Sequence, residues 1–190
     1  MTTSAVPRTL VFDPIGARRF VLRVAGQMPL GWSAIVAANL SALGCDVEVA
    51  RANVDIEREW TGTFEGTRPV GLVSIPSEHK LLVDAVSMVT MTPRVTSYEL
   101  HRHPVTGRLD LRIRAQDASG LLAGLLRQFG MLGLFPQNFD VRTIGGLADD
   151  KFTLSGIGGS RVSDVAEREL ARALTRWSAP PPPMPNSRHV

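Results

Sequence analysis

This chain of 190 residues carries a single cysteine, Cys45, so it can form no internal disulfide, and no CxxC pair is present to hold a metal. Lysine occurs only at Lys80 and Lys151, which leaves arginine to supply nearly all the positive charge. The arginines are spread among acids, and aromatic residues make up only 6%. The basic groove interleaved with stacking rings that single-stranded nucleic acid requires is therefore missing, and no nucleic-acid partner is expected. No apolar run approaches the roughly 20 residues that cross a bilayer. The opening MTTSAVPRTLVFD has no apolar segment of signal-peptide length, so the protein is expected in the cytoplasm, away from membranes. GxSxG, HExxH and GK[ST] are absent too, so any enzyme here works from an unmarked site. No cofactor and no metal is expected, and Cys45 reads as a small buried core residue.

What the chain does have is a repeat. Phe20 to Gly44 lies over Leu109 to Gly133 without a gap: Gly31 and Gly120 differ by 89 positions, as do Gly44 and Gly133. A match at fixed period reports a duplicated supersecondary unit. In the first copy Phe20, Leu22 and Val24 alternate as in a strand, a turn follows at Gly26 to Gly31, and Trp32, Ile35, Val36, Leu40 and Leu43 recur at helical spacing up to Gly44. A second strand starts at Val47, with a shift of parity that predicts a bulge near Ala50 to Arg51. A long hairpin then carries Glu57, Glu59, Trp60 and Phe64 around its apex, with a far arm at Val70 to Ile75. Pro76 and Ser77 open a helix reaching Val89, and Arg94 to His101 forms the closing strand. In the second copy the elements are a strand at Leu109 to Ala115, a helix at Ser119 to Leu132, strands at Phe135 to Gly145 and Lys151 to Ile157, and a helix from Val162 to Trp177. The run PPPPMP then predicts an extended tail.

The order is βαββαβ, the ferredoxin-like motif. The expected fold class is therefore α+β, two tandem ferredoxin-like units: an N-terminal arm at 1–18, unit 1 at 19–105, unit 2 at 106–178 and a tail at 179–190. Unit 2 is one strand short by this reading. Thr9 to Asp13 is expected to cross over and complete it, because an open sheet edge is a liability.

Asp117, Gly120, Leu121 and Leu122, between the first strand and helix of unit 2, with Gly133 at the helix end, resemble the ACT domain family. The resemblance implies a regulatory module that binds amino acids or similar metabolites at interfaces between paired domains. The physics of the loop is separate from that name. A glycine lets the backbone approach a ligand, a helix N-terminus favours a carboxylate, and Asp117 can accept from an ammonium. Alternatively, Asp117 or Ser119 simply caps the helix. Unit 1 keeps the glycine, Gly31, but has no acid in its loop. Where family members place an asparagine after the helix-ending glycine, this chain has Asp46 in unit 1 and Phe135 in unit 2. The ligand-binding candidates are Gly31, Asp46, Asp117, Ser119, Gly120 and Leu121, with at most one competent site per pair or a ligand other than a simple amino acid.

His101 and His103 share one face of a strand but lack a third ligand. Trp60 and Phe64, read as exposed on the hairpin, are the candidates for binding a protein partner. The favoured function is ligand-responsive regulation by a homodimer acting through a partner protein. Two other readings stay open: a ligand-free assembly module, and a small cyclase or isomerase drawing on Asp13, Asp46, Glu57, His79 or Asp117.

Overall fold

The computed structural model describes residues 9–74, 81–82 and 92–179. The tail and His79 lie outside the described residues. So does most of the helix expected after Ser77, of which Leu81 and Leu82 are helical and buried. The described strands form one eight-stranded antiparallel sheet, and three α-helices and one 3-10 turn lie wholly among the described residues. In chain order the elements are β1 (Thr9–Ile15), β2 (Arg19–Gly26), α1 (Trp32–Ala42), β3 (Asp46–Val54), β4 (Trp60–Thr67), β5 (Val95–Arg102), β6 (Leu109–Gln116), α2 (Leu121–Met131), β7 (Phe135–Ile144), β8 (Leu147–Ser155) and α3 (Asp164–Ser178). The spatial order is β1-β2-β4-β3-β7-β8-β6-β5. The fold class is α+β with two ferredoxin-like halves, as the sequence led one to expect.

The fourth strand of each half is a correction. Thr9 to Ile15 does not cross to unit 2. It pairs antiparallel with β2, Phe12 facing Leu22, and Val95 to Arg102 pairs with β6 rather than closing unit 1. Each edge strand thus precedes its own half as one arm of a local hairpin, turned by Gly16 at φ 57° and Gly107 at φ 67°. A hairpin closes a short loop where the swap would close a long one, and the shorter closure costs less chain entropy. The duplicated unit is therefore a permuted form of the motif, beginning one strand earlier than the repeat first shows. Removing residues 1–15 should strip hydrogen-exchange protection from β2, where Phe12 stacks on Phe20 at 5.4 Å, and leave β6 protected. Loss at Leu109 to Gln116 would contradict this assignment.

The second correction is β4. Trp60 to Thr67, expected around a hairpin apex, is a central strand between β2 and β3. The true apex is short: the Asp55 carboxylate accepts from the backbone N–H groups of Glu57 and Glu59, each at 2.9 Å. The bulge falls between Val47 and Val49, earlier than expected, and turns Ala50 and Ala52 toward the helices.

The halves meet where β3 pairs with β7, and Arg51 faces Asp140. Positions 51 and 140 differ by 89, the offset of the repeat, so a pseudo-twofold axis passes through that pair. Behind it α1 packs against α2. A row of rings crosses the seam: Trp32 to Phe64 and Phe64 to Phe139 at 6.0 Å each, Phe139 to Phe152 at 6.4 Å, Phe152 to Phe129 at 5.1 Å. Edge and tilted arrangements at these separations add attraction beyond burial. The core is continuous from one half to the other.

Candidate functional site

Both strand-to-helix loops are built alike. Gly31 and Gly120 sit at φ 76° and 82°, the left-handed region where a side chain is strained, and each turns the chain directly into its helix. Neither helix start receives a side-chain cap or carries an acid in its first turn. Asp117 and Ser119 therefore do not cap α2. The contrast is α3, where the Ser163 hydroxyl accepts from the Ala166 N–H at 3.1 Å. The Asp117 loop is tied instead to the turn between β7 and β8, the Asp117 N–H donating to the Gly146 carbonyl at 2.9 Å.

The pseudo-twofold arrangement brings the start of β3 in one half against this loop in the other. Asp46, Asp117 and Gly120 line one cleft at the seam, together with Ser41 of α1 and Asp150 of β8. Asp150 is 1% exposed. Its carboxyl accepts from the Arg142 backbone N–H, while Oδ1 has no partner among the described residues. Burial pushes this carboxyl up to about 7, with Asp117, Asp149 and Asp140 adding to the rise and the Arg142 N–H opposing it. Asp46 is raised as well, first by burial and then by Asp117 and Glu48. Three acids thus share a site in which no cation of the described residues is paired with them, beside the uncapped positive end of α2. They do not converge closely enough to hold a metal ion among the described residues. The enclosed space is about 20 Å³, room for a single water molecule. Cys45, also in the wall, has its thiol pushed up to about 11 by burial and is inert.

Ser119 and Leu121 belong to the same loop and helix start, and Leu121 lines the cleft. Gly31 does not join them. It belongs to the related cleft on the other side of the axis, where Phe135 stands at the position of Asp46. Sequence reasoning missed Asp150. The signal was there in the alternation of Ala148, Asp150, Phe152 and Leu154, all buried, which places an acid on the inward row of a strand.

The expected partner-contact residues are corrected. Phe64 is fully buried in the ring row, and Trp60 is half-buried, edge-on to Trp32 at 5.2 Å. Neither lies on a projecting arm. His101 lies on the open sheet face opposite Asp110, and the His103 Nδ1 accepts from the Thr106 N–H at 3.2 Å in the following turn. Asp13, one of the acid/base candidates, is ion-paired with Arg23 far from the cleft.

No protein-family model matches the chain, and no curated protein does. Among solved structures, aspartate kinase from Synechocystis is similar at 14% identity and a TM-score of 0.45, over 84% of this chain. The chain spans about a quarter of that protein's length, 27%.

Proposed function

We propose that this chain is a ligand-responsive regulatory module that binds an amino acid, or a metabolite with the same ammonium and carboxylate pair, in the acidic cleft at the seam. The observation that carries the reading is the meeting of Asp46 from one half with Asp117 and Gly120 from the other around the buried Asp150, whose Oδ1 has no partner among the described residues. An ammonium satisfies the three acids, and a carboxylate suits the open N–H groups at the start of α2. The cleft is too small for more than the ammonium end, so binding must part the halves. A ligand that favours the parted arrangement shifts the packing at the seam, which is the basis of regulation. Its output passes to a partner protein, and the free edges β1 and β5 offer a surface for pairing two copies.

The test is a thermal-shift screen of the whole chain against the twenty amino acids. A selective ligand at about 100 times its Kd adds roughly 2.7 kcal/mol of stability. The shift should vanish in Asp117→Asn and Asp46→Asn. The affinity for an ammonium should rise from pH 6 to pH 8, because Asp150, held up to about 7 by burial, must lose its proton to receive the cation. An affinity that is flat across this range, or a shift that survives both substitutions, would rule the site out.

One observation favours a second reading. A buried carboxyl near 7 is suited to proton transfer, so Asp150 can serve a small cyclase or isomerase as general base. Turnover of an added metabolite that is lost in Asp150→Asn would favour it.

A further inference from the structure

The pseudo-twofold axis duplicates the cleft, and the second copy has taken on the opposite chemistry. Shifting the lining residues by 89 carries Gly120 to Gly31, Ala123 to Ala34, Ala37 to Leu126, Ser41 to Gly130 and Asp46 to Phe135, all of which line a groove between α1 and α2. Asp117 has Met28 as its counterpart, in the adjoining loop. None of the described residues lining this groove is an acid. Its volume is about 470 Å³, against about 20 Å³ for its sister, and falls within the roughly 300–1,000 Å³ typical of small-molecule sites.

The charge in the groove is a cation. Arg127 of α2 lines it, half-buried, at the position that Ala38 holds on α1. The guanidinium has no hydrogen-bond or ion-pair partner among the described residues, whereas the other half-buried arginine of the helical side, Arg102, is matched to Glu167 and Asp164. A half-buried arginine in a groove whose other walls include Ala34, Ala38, Leu126 and Phe135 is complementary to a carboxylate with an apolar body. We infer that this groove is a second ligand site, selective for an amphipathic monocarboxylate without an ammonium group. The groove walls supply the apolar burial and Arg127 fixes the orientation. The tandem therefore holds two unlike sites on one seam, and neither accepts the ligand of the other: the acids repel a bare carboxylate, and Arg127 repels an ammonium. This inference does not rest on the acidic cleft being occupied.

The experiment is isothermal titration calorimetry of the full chain with octanoate, octylamine and octanol, which share one tail and differ in charge. Octanoate should bind saturably, with a negative heat-capacity change from apolar burial, and both others about tenfold or more weaker. Arg127→Gln should cost octanoate about tenfold while leaving octanol unchanged. Gly130→Phe is the independent block. A Cβ at Gly130 meets nothing within 4 Å, and a helical glycine gains from replacement, so the variant folds while its ring fills the groove. It should abolish octanoate binding, and Asp150→Asn should not affect it. Equal binding of octanoate and octylamine, undiminished affinity in Arg127→Gln or Gly130→Phe, or no saturable heat with octanoate would each overturn the inference.

Discussion

Asp150→Asn is expected to flatten the acid side of the stability profile and to leave the variant less sensitive to pH than the wild type between pH 4 and pH 8. The wild-type carboxyl stands at about 7 in the native state against an ordinary 3.8. Below 3.8 both states are protonated and the group contributes no pH dependence. Between 3.8 and 7 the unfolded chain ionises while the native chain still holds its proton, so native stability falls as pH rises. Above 7 both are ionised and the loss is complete. At about 1.4 kcal/mol per pH unit, that interval amounts to about 4 kcal/mol withheld from the native state at pH 8. Asparagine keeps the shape and removes the charge. It also leaves an amide N–H2 in a site built for an acid, which returns about 1–3 kcal/mol of the gain. The net effect is a difference curve between variant and wild type that climbs from pH 4 to pH 7 and is level above, with a melting point a few degrees higher at pH 8. Chemical denaturation at closely spaced pH values measures it. A difference curve that is flat throughout would show that Asp150 titrates near its ordinary value and that the cleft is wet.

The neighbouring residues explain why the acid is tolerated at all. Asp149 and Asp150 are adjacent in β8 and take opposite faces of the sheet. Asp149 points out and receives both arms of the Arg112 guanidinium, at 2.7 and 2.6 Å, which holds its carboxyl below the usual range. Asp150 points in, where it has no ion-pair partner among the described residues. A buried carboxyl without a counter-charge costs stability and gives no packing in return. On the proposed reading, a ligand that supplies the missing charge offsets that cost.

The paired strand-to-helix elements were legible because they follow two strong rules, alternation in the strand and glycine at φ above zero before and after the helix. The offset of the repeat even placed the axis, since Arg51 and Asp140 face each other across the seam at that spacing. The fourth strands were not legible from the repeat, because β1 and β5 pair by hairpin with the strand that follows, while the motif in its usual order closes with the strand that comes last. β4 was hidden by its own composition. Its inward row is Trp60, Gly62, Phe64 and Gly66, half of it glycine, and glycines with Thr and Glu between them read as a turn. Asp46 and Asp117 were found by type and position within each unit. Their meeting was not, because it depends on how one half is turned against the other. The dipeptide at 149–150 follows Gly145 and Gly146 and falls short of the strand expected from Lys151, whereas β8 already begins at Leu147.

Gly66→Ala should be the most damaging single methyl in the described fold. Gly66 is buried in the middle of the sheet, paired with Phe20 on β2 and Val47 on β3. A Cβ at this position would lie 1.8 Å from the Asp46 carbonyl oxygen, 2.9 Å from its carbon and 3.0 Å from the Val47 Cα. All three are backbone atoms, so no side chain can swing aside, and β3 must be displaced from β4 at its first residues. Overpacking of a core costs about 1–3 kcal/mol even where side chains yield. Here about 3 kcal/mol or more is expected, a fall in melting point of some 6 to 12 °C for a chain of this size. The same displacement carries Asp46 away from Asp117, so whatever fraction folds should lose the response to amino acids. Gly130→Ala is the matched control, a glycine with open space around it in a helix, and should gain up to about 1 kcal/mol. If Gly66→Ala melts within two degrees or so of the wild type, β3 does not lie against β4 as described, and the placement of Asp46 at the seam falls with it.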